Sequence, residues 1–340
     1  MKRRILLIYT GGTIGMMKKY GSEVLIPFDF SNIINHIPEI KLINANIDFY
    51  EFENPIDSSD IEIKDWKFLA SLLKEKYEYY DGFVVLHGTD TMSYTASMMS
   101  FMLQGIKKSV IFTGSQLPIG ELRTDSKENL ITSIYYASLY QNSQSVIQEV
   151  CLYFEHKLYR ANRTTKFSSE HFDAFISPNY PILGESGVNL EIFNENLFKP
   201  SSKFNLNTDI EPNIDVVSFF PGRNKRLLEY SLLNSEIKGL ILRTFGSGNI
   251  PSDKETIDYL KKAKDLGKEI VVITQCVRGS VSIGKYHNST IFTDLNVCNG
   301  FDITVEAATT KLMWLLGQKY KSEDLKKEFE SQIAGEISVY

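Results

Sequence analysis

Short apolar runs that end in glycine-bearing polar turns recur along this chain, and they constrain its fold more than any other feature. The clearest lies between Gly82 and Leu103. Phe83, Val84, Val85 and Leu86 form a run that reads as a buried strand. Met92, Ala96, Met99 and Leu103 then recur at helical spacing. Between the two sits His87-Gly88-Thr89-Asp90-Thr91, which places hydroxyls and a carboxylate where a strand ends and a helix begins. Open α/β sheets bind ligands at such places, and the first N–H groups of a helix lack internal partners. Taken alone, this turn reads first as a helix cap supplied by Thr89 or Asp90. A second turn of the same kind at the N-terminus shifts that balance toward chemistry.

That second turn is Thr10-Gly11-Gly12-Thr13-Ile14-Gly15, directly after the apolar run Ile5–Tyr9. Its glycines allow positive φ and close approach of the backbone. It carries no GxGxxG and no Lys-Ser/Thr pair, which argues against a nucleotide loop. Met16 to Phe30 is mixed and polar, and reads as a flap or loop. Further strands are expected over 47–52, 110–113 and 146–154, and helices over 61–77 and 125–140. Ser58, Ser59 and Asp60 are all residue types that cap helices. Leu158 to Lys166, LYRANRTTK, reads as a solvated loop or hairpin. Periodicity is lost between Ile192 and Pro212 and then resumes, with strands over 215–219, 239–243 and 269–274 and helices over 225–234, 254–265, 304–316 and 322–332. The pattern predicts an α/β protein of two domains. Residues 1–190 form a larger, mostly parallel sheet, flavodoxin- or Rossmann-like, with helices on both faces. Residues 191–212 are a linker, and 213–340 a smaller α/β domain.

Composition narrows the function classes. A net charge of −5 gives no electrostatic reason to expect nucleic acid or an acidic membrane as partner. The three cysteines and five histidines fall at no metal-ligand or disulfide spacing, so no metal is expected. The run after MKRR ends at Tyr9 without a small-residue cleavage site, which makes it a first strand rather than a signal peptide. No apolar stretch is long enough to span a bilayer, and the expected location is the cytoplasm.

Together, the Thr10–Gly15 and His87–Thr91 turns resemble the paired signatures of the bacterial-type L-asparaginases. The likeness extends through Asp57-Ser58-Ser59, Thr113-Gly114-Ser115-Gln116, Asn162-Arg163-Thr164-Thr165-Lys166 and Thr304-Val305-Glu306-Ala307, in order along nearly the whole chain. The DSSD and TQC segments look most like the cytoplasmic type I enzymes. The resemblance implies hydrolysis of the side-chain amide of L-asparagine to L-aspartate and ammonia, without a cofactor. It implies Thr13 as the nucleophile that forms an acyl-enzyme, and Thr89 with Asp90 and Lys166 as the second catalytic group. A threonine hydroxyl needs a base to become a nucleophile, and a lysine serves as base only where burial lowers its pKa. Substrate would be held by Asp57, Ser58, Ser59, Thr89 and Asp90, and backbone N–H groups at the turn, that of Thr89 among them, would meet an oxyanion.

One departure stands out. The family carries a flap tyrosine just before an Ile-Pro pair, and here Leu25 occupies that place; Tyr20, by a shift in the loop, or another tyrosine is the candidate to substitute. Type I enzymes also bind asparagine at a regulatory site, and the matching positions are Arg243, Thr274, Gln275 and Cys276. The family implies a homodimer or homotetramer. Rival readings are the ammonia-releasing subunit of a tRNA-dependent amidotransferase, which shares the catalytic motifs, and a non-catalytic amino-acid sensor, which would not need Thr13, Thr89 and Lys166 together. A dinucleotide-dependent oxidoreductase would require the absent glycine fingerprint.

Overall fold

The structure is a computed structural model that describes residues 2–18, 25–27, 37–284 and 289–338. It divides into two units, Met1–Ser177 with Pro181–Leu206, and Pro178–Tyr180 with Asn207–Tyr340. In the first unit the elements run β1 (Arg3–Tyr9), β2 (Ala45–Glu51), α1 (Ile63–Lys76), β3 (Gly82–Leu86), α2 (Met92–Met102), β4 (Val110–Thr113), α3 (Ser126–Ala137), β5 (Val150–Phe154), β6 (Lys157–Arg160), β7 (Gly184–Ser186) and β8 (Leu190–Ile192). They form one eight-stranded sheet in the order β8-β7-β6-β5-β4-β3-β1-β2. From β2 to β5 the pairing is parallel; β6, β7 and β8 extend it antiparallel. Strands β3, β4 and β5 are buried along their whole length, because apolar residues follow one another without alternation and both faces are covered.

Parallel pairing gathers the polar turns at one rim. The Thr10 N–H donates to Leu86 O at 3.0 Å, the Ile56 N–H to Thr10 O at 2.8 Å, and the His87 N–H to Thr113 O at 2.9 Å. The turns after β1, β2, β3 and β4 are therefore stitched side by side. Gly12, at φ 89°, lies so close to the third turn that an added Cβ would stand 2.5 Å from Gly88 N. Gly88 in turn is packed by Ser58, whose Oγ would be 2.5 Å from a Cβ there. Only glycine permits these approaches.

Two expectations are corrected here. Leu158–Lys166 is neither solvated nor a hairpin of its own. It completes β6, whose hairpin partner is β5, passes through a 3-10 turn at Ala161–Arg163 and ends in Thr165–Lys166, which pairs with Phe175–Ile176. Arg160 and Arg163 are 2% and 1% exposed. Arg160 Nε donates to Glu149 Oε2 at 2.6 Å, and Glu149 Oε1 accepts the Phe198 N–H at 2.6 Å. Burial pushes the Glu149 carboxyl up, while the Arg160 guanidinium opposes that shift. Buried charge is tolerated because it is paired and hydrogen-bonded. Within the stretch read as a flap, Met16–Lys18 and Leu25–Pro27 form an antiparallel pair in which Leu25 faces Lys18. Tyr20 lies outside the described residues.

The aperiodic tract over 191–212 is held by backbone bonds at intervals, Phe193 N to Leu183 O and Asn205 N to Gln104 O in the first unit, and Glu211 N to Met313 O in the second. The second unit runs β9 (Ile214–Ser218), α4 (Lys225–Leu233), β10 (Gly239–Thr244), α5 (Lys254–Asp265), β11 (Glu269–Thr274), α6 (Thr290–Asp294), β12 (Cys298–Asn299), α7 (Val305–Gly317) and α8 (Ser322–Phe329). Its four strands are parallel in chain order. Leu240, Leu242, Ile270 and Val272 share one core with Leu228 of α4 and Leu260 of α5. The alternate positions Gly239 and Ile241 belong to the opposite face, where Leu312 of α7 packs over Gly239. A fully buried ion pair between Lys311 and Glu336 ties the last segment to α7.

Candidate active site

The site is built from the rim turns of the first unit. Thr13 opens a short 3-10 turn, Thr13–Gly15, and is half-buried. Because Gly12 rests on Gly88, Thr13 and Thr89 each follow a glycine of the same contact. Ser58 is buried, 3% exposed. Its main-chain oxygen accepts the Thr91 hydroxyl at 2.7 Å, which joins the second turn to the third. Asp57 caps its own 3-10 turn, accepting the N–H and the hydroxyl of Ser59, both at 2.9 Å. Helix α1 is closed instead by a capping box of Glu62 and Asp65, so Ser58, Ser59 and Asp60 do not cap it.

Thr89 and Asp90 are not caps either. The N-cap of α2 is Thr91, without a side-chain cap bond. Lys166 Nζ, from 77 positions downstream, donates to Thr89 Oγ1 at 2.8 Å. It also meets Asp90 Oδ1 at 2.6 Å. The Lys166 side chain is 19% exposed against 64% for Asp90, so the ammonium sits within the site and the carboxylate at its edge. The buried segment after β6 carries Lys166 there: Thr164 is fully buried and its hydroxyl lies 3.0 Å from that of Ser93 in the first turn of α2. A hydroxyl that accepts from a lysine directs its own proton elsewhere, and the Thr89 hydroxyl points to Gln116 Oε1 at 3.4 Å. Where Nζ is neutral and the Thr89 hydroxyl turns onto it, such a Thr–Lys pair can accept a proton from a reacting group and return it.

Gln116 stands beside Thr89 and Asp125 behind it; neither is among the expected site residues, although Gln116 closes the Thr113–Gln116 turn. Gln116 Nε2 donates to His171 O at 3.0 Å, which fixes the amide next to Thr89. The Asp125 carboxylate accepts the Gln116 N–H at 2.9 Å and the Leu117 N–H at 3.1 Å. Burial raises its pKa, opposed by those N–H groups. The available signal was the polar turn Gly114-Ser115-Gln116 at a strand end. Among the described residues no group of His, Cys, Asp and Glu is placed to hold a metal ion, and no helix is long and apolar enough to cross a membrane.

Comparison with known proteins places this geometry. A family model described as the N-terminal asparaginase domain matches residues 4–198, and one described as the glutaminase/asparaginase C-terminal domain matches residues 213–329. The chain belongs to the asparaginase family. It is thereby an amidohydrolase that acts on a linear amide. L-asparaginase 1 of Escherichia coli K12 is 39% identical over 339 residues, which cover 99% of this chain and 98% of that one. A 60 kDa lysophospholipase of Mus musculus is 37% identical over 365 residues, covering 99% of this chain and 63% of that longer one. The crystal structure of L-asparaginase I from Vibrio cholerae superposes with a TM-score of 0.89 at 37% identity, with all of both chains covered.

The other residues expected from the asparaginase resemblance lie in the second unit. Arg243 is half-buried near the carboxyl end of β10, and its Nε is buried without a hydrogen-bond partner among the described residues. Thr274 ends the neighbouring strand, donating to Gly246 O at 2.6 Å and accepting the Cys276 N–H at 3.0 Å. Gln275 Nε2 bridges Phe219 O and Arg243 O, each at 2.7 Å. By register Arg243 pairs with Ile273 and Thr244 with Thr274. Arg243 and Thr274 thus share a rim but sit one position out of step. Cys276 is exposed.

Proposed function

We propose that the chain hydrolyses the side-chain amide of L-asparagine to L-aspartate and ammonia through a threonine acyl-enzyme. The observation that carries this reading is the Lys166–Thr89 hydrogen bond, set beside a turn that bears a second threonine. In the proposed sequence Thr13 Oγ1 attacks the amide carbon, and the developing oxyanion is met by backbone N–H groups, that of Thr89 among them. The C–N bond breaks, the Thr13 proton leaves with the nitrogen as ammonia, and a Thr13 ester remains. Water, deprotonated by the Thr89–Lys166 pair, then cleaves the ester and restores Thr13. Asp90, with Asp57, Ser58 and Ser59, is the substrate set: Asp90 faces the α-amino group, and the serines hold the α-carboxylate. No cofactor takes part.

Two finer readings belong with it. Asparagine also binds at Arg243 and the Thr274-Gln275-Cys276 turn and activates the enzyme; the unpartnered Arg243 Nε offers a donor for a carboxylate. The protein works in the cytoplasm as a homodimer or homotetramer; Leu227 and Tyr230 of α4, 64% and 68% exposed, are apolar surface for a second copy to cover. The deciding experiment is ammonia release from free asparagine, and from glutamine, without tRNA. Thr13→Ala and Thr89→Val are each expected to lose at least a thousandfold in kcat/KM with unchanged circular dichroism, given the size of nucleophile and base contributions. Normal turnover by either variant rejects the mechanism, and a requirement for tRNA would favour the amidotransferase reading.

A further inference from the structure

His87 lies inside the catalytic turn, yet nothing above gives it a task. It is 1% exposed, and its ring meets Phe112 edge-on at a centroid distance of 6.0 Å. Its Nδ1 is 2.7 Å from Gly88 O. A carbonyl oxygen only accepts, so the proton of that bond belongs to Nδ1. Nε2 is buried without a partner among the described residues, which suits the bare lone pair of a neutral ring and not a second N–H. Burial lowers the pKa of His87 to about 4, so the ring is neutral at pH 7.

We infer that His87 is a positioning residue: its Nδ1–H pulls the Gly88 carbonyl toward the core and so turns the N–H of the same peptide, that of Thr89, toward the reacting amide. The warrant is covalent geometry. The chain has no cis peptide among its described residues, and in a planar trans peptide the C=O and N–H point in opposite directions. Fixing the oxygen on the His87 side therefore fixes the hydrogen on the other. No group among the described residues accepts the Thr89 N–H. The backbone of Gly12 and the side chain of Ser58 pack against Gly88, so this peptide has little freedom to flip once the bond is made. A donor fixed before the reaction is effective because no reorganisation is needed as charge develops. The inference rests on the reading that Thr89 N–H serves the oxyanion.

Three substitutions separate the donor from mere bulk. His87→Asn keeps an N–H at the Nδ1 place, His87→Gln moves it to the Nε2 place, and His87→Leu removes it. Leu and Gln are expected to lower kcat by on the order of a hundredfold, the usual cost of a lost oxyanion donor, with KM changed less than about threefold; Asn is expected to stay within about fivefold of wild type. Equal loss in all three, or wild-type kcat in the Leu variant, overturns the inference. The tautomer can be read in the wild type itself, independently of any variant's folding. In ¹⁵N-histidine spectra at neutral pH the His87 Nδ1 is expected at the protonated position and Nε2 at the unprotonated one, and the reverse overturns the inference. A wild type that releases no ammonia from asparagine would reject the functional reading, and the inferred role with it, even if the tautomer is the expected one.

Discussion

At the scale of single residues, the same side chain can serve the backbone or the chemistry, and partners decide which. Thr89 and Asp90 are cap residues by type, but their oxygens are taken by Lys166 and the helix starts without them. Asp57 divides its carboxylate: Oδ1 caps its own turn through Ser59, and the proposed substrate role falls to Oδ2. His87 yields a prediction at this scale. Its pKa is about 4 in the fold, whereas an unfolded chain takes the ordinary value near 6.5. Between those values the unfolded chain binds a proton that the folded one refuses. The stabilisation is therefore complete above about pH 6.5 and is lost as pH falls toward 4. The difference corresponds to about 3 kcal/mol. Urea unfolding at pH 7 and pH 4.5 should show a smaller loss in His87→Asn than in wild type, by on the order of 2 kcal/mol. Identical losses would mean that His87 is not held neutral.

At the scale of elements, the site exists because glycines let neighbouring turns touch. Gly12→Ala places a Cβ against the backbone of Gly88 and forces a side chain into φ 89°. A destabilisation of about 2–4 kcal/mol is expected, with kcat/KM reduced at least tenfold, because the nucleophile's turn is displaced from the Thr89 turn. Gly187→Ala is the control, since a Cβ there meets only Asn189 O, at 3.8 Å, and both quantities should stay near wild type; matching effects of the two substitutions would refute the argument. Much of this level was legible beforehand. The strand Glu269–Thr274 and the helix Lys254–Asp265 follow from an unbroken apolar run and from a 3.6 period behind a true cap, Asp253, which accepts the Thr256 N–H at 3.0 Å. The burial of Leu158–Lys166 was not legible, because its polar and basic run looks solvated. What pairs its buried charge is Glu149, which lies just before β5, together with the N–H of Phe198, and no local pattern announces either partner.

At the scale of the whole molecule, each unit carries at its sheet's carboxyl rim a polar group with no partner among the described residues, Thr89 N–H in the first and Arg243 Nε in the second. If asparagine occupies both, its concentration sets activity as well as substrate supply. The rate against asparagine is then expected to be sigmoidal, with a Hill coefficient above 1 in the wild type and a hyperbolic curve in Arg243→Ala; a hyperbolic wild type would remove the regulatory reading. The order of residues alone determined the α/β class, the parallel sheets, the turns that meet at the rim and the family, since these depend on apolar periodicity, glycine placement and short motifs, all local in the chain. Only the folded chain decided that Thr89 is not a cap, that Gln116 and Asp125 stand behind it, that His87 is dry, and by which bond Lys166 meets Thr89, a grouping the family resemblance had implied. Those facts depend on which distant groups become neighbours and on how much water is excluded between them, and neither quantity is a property of any stretch of sequence read by itself.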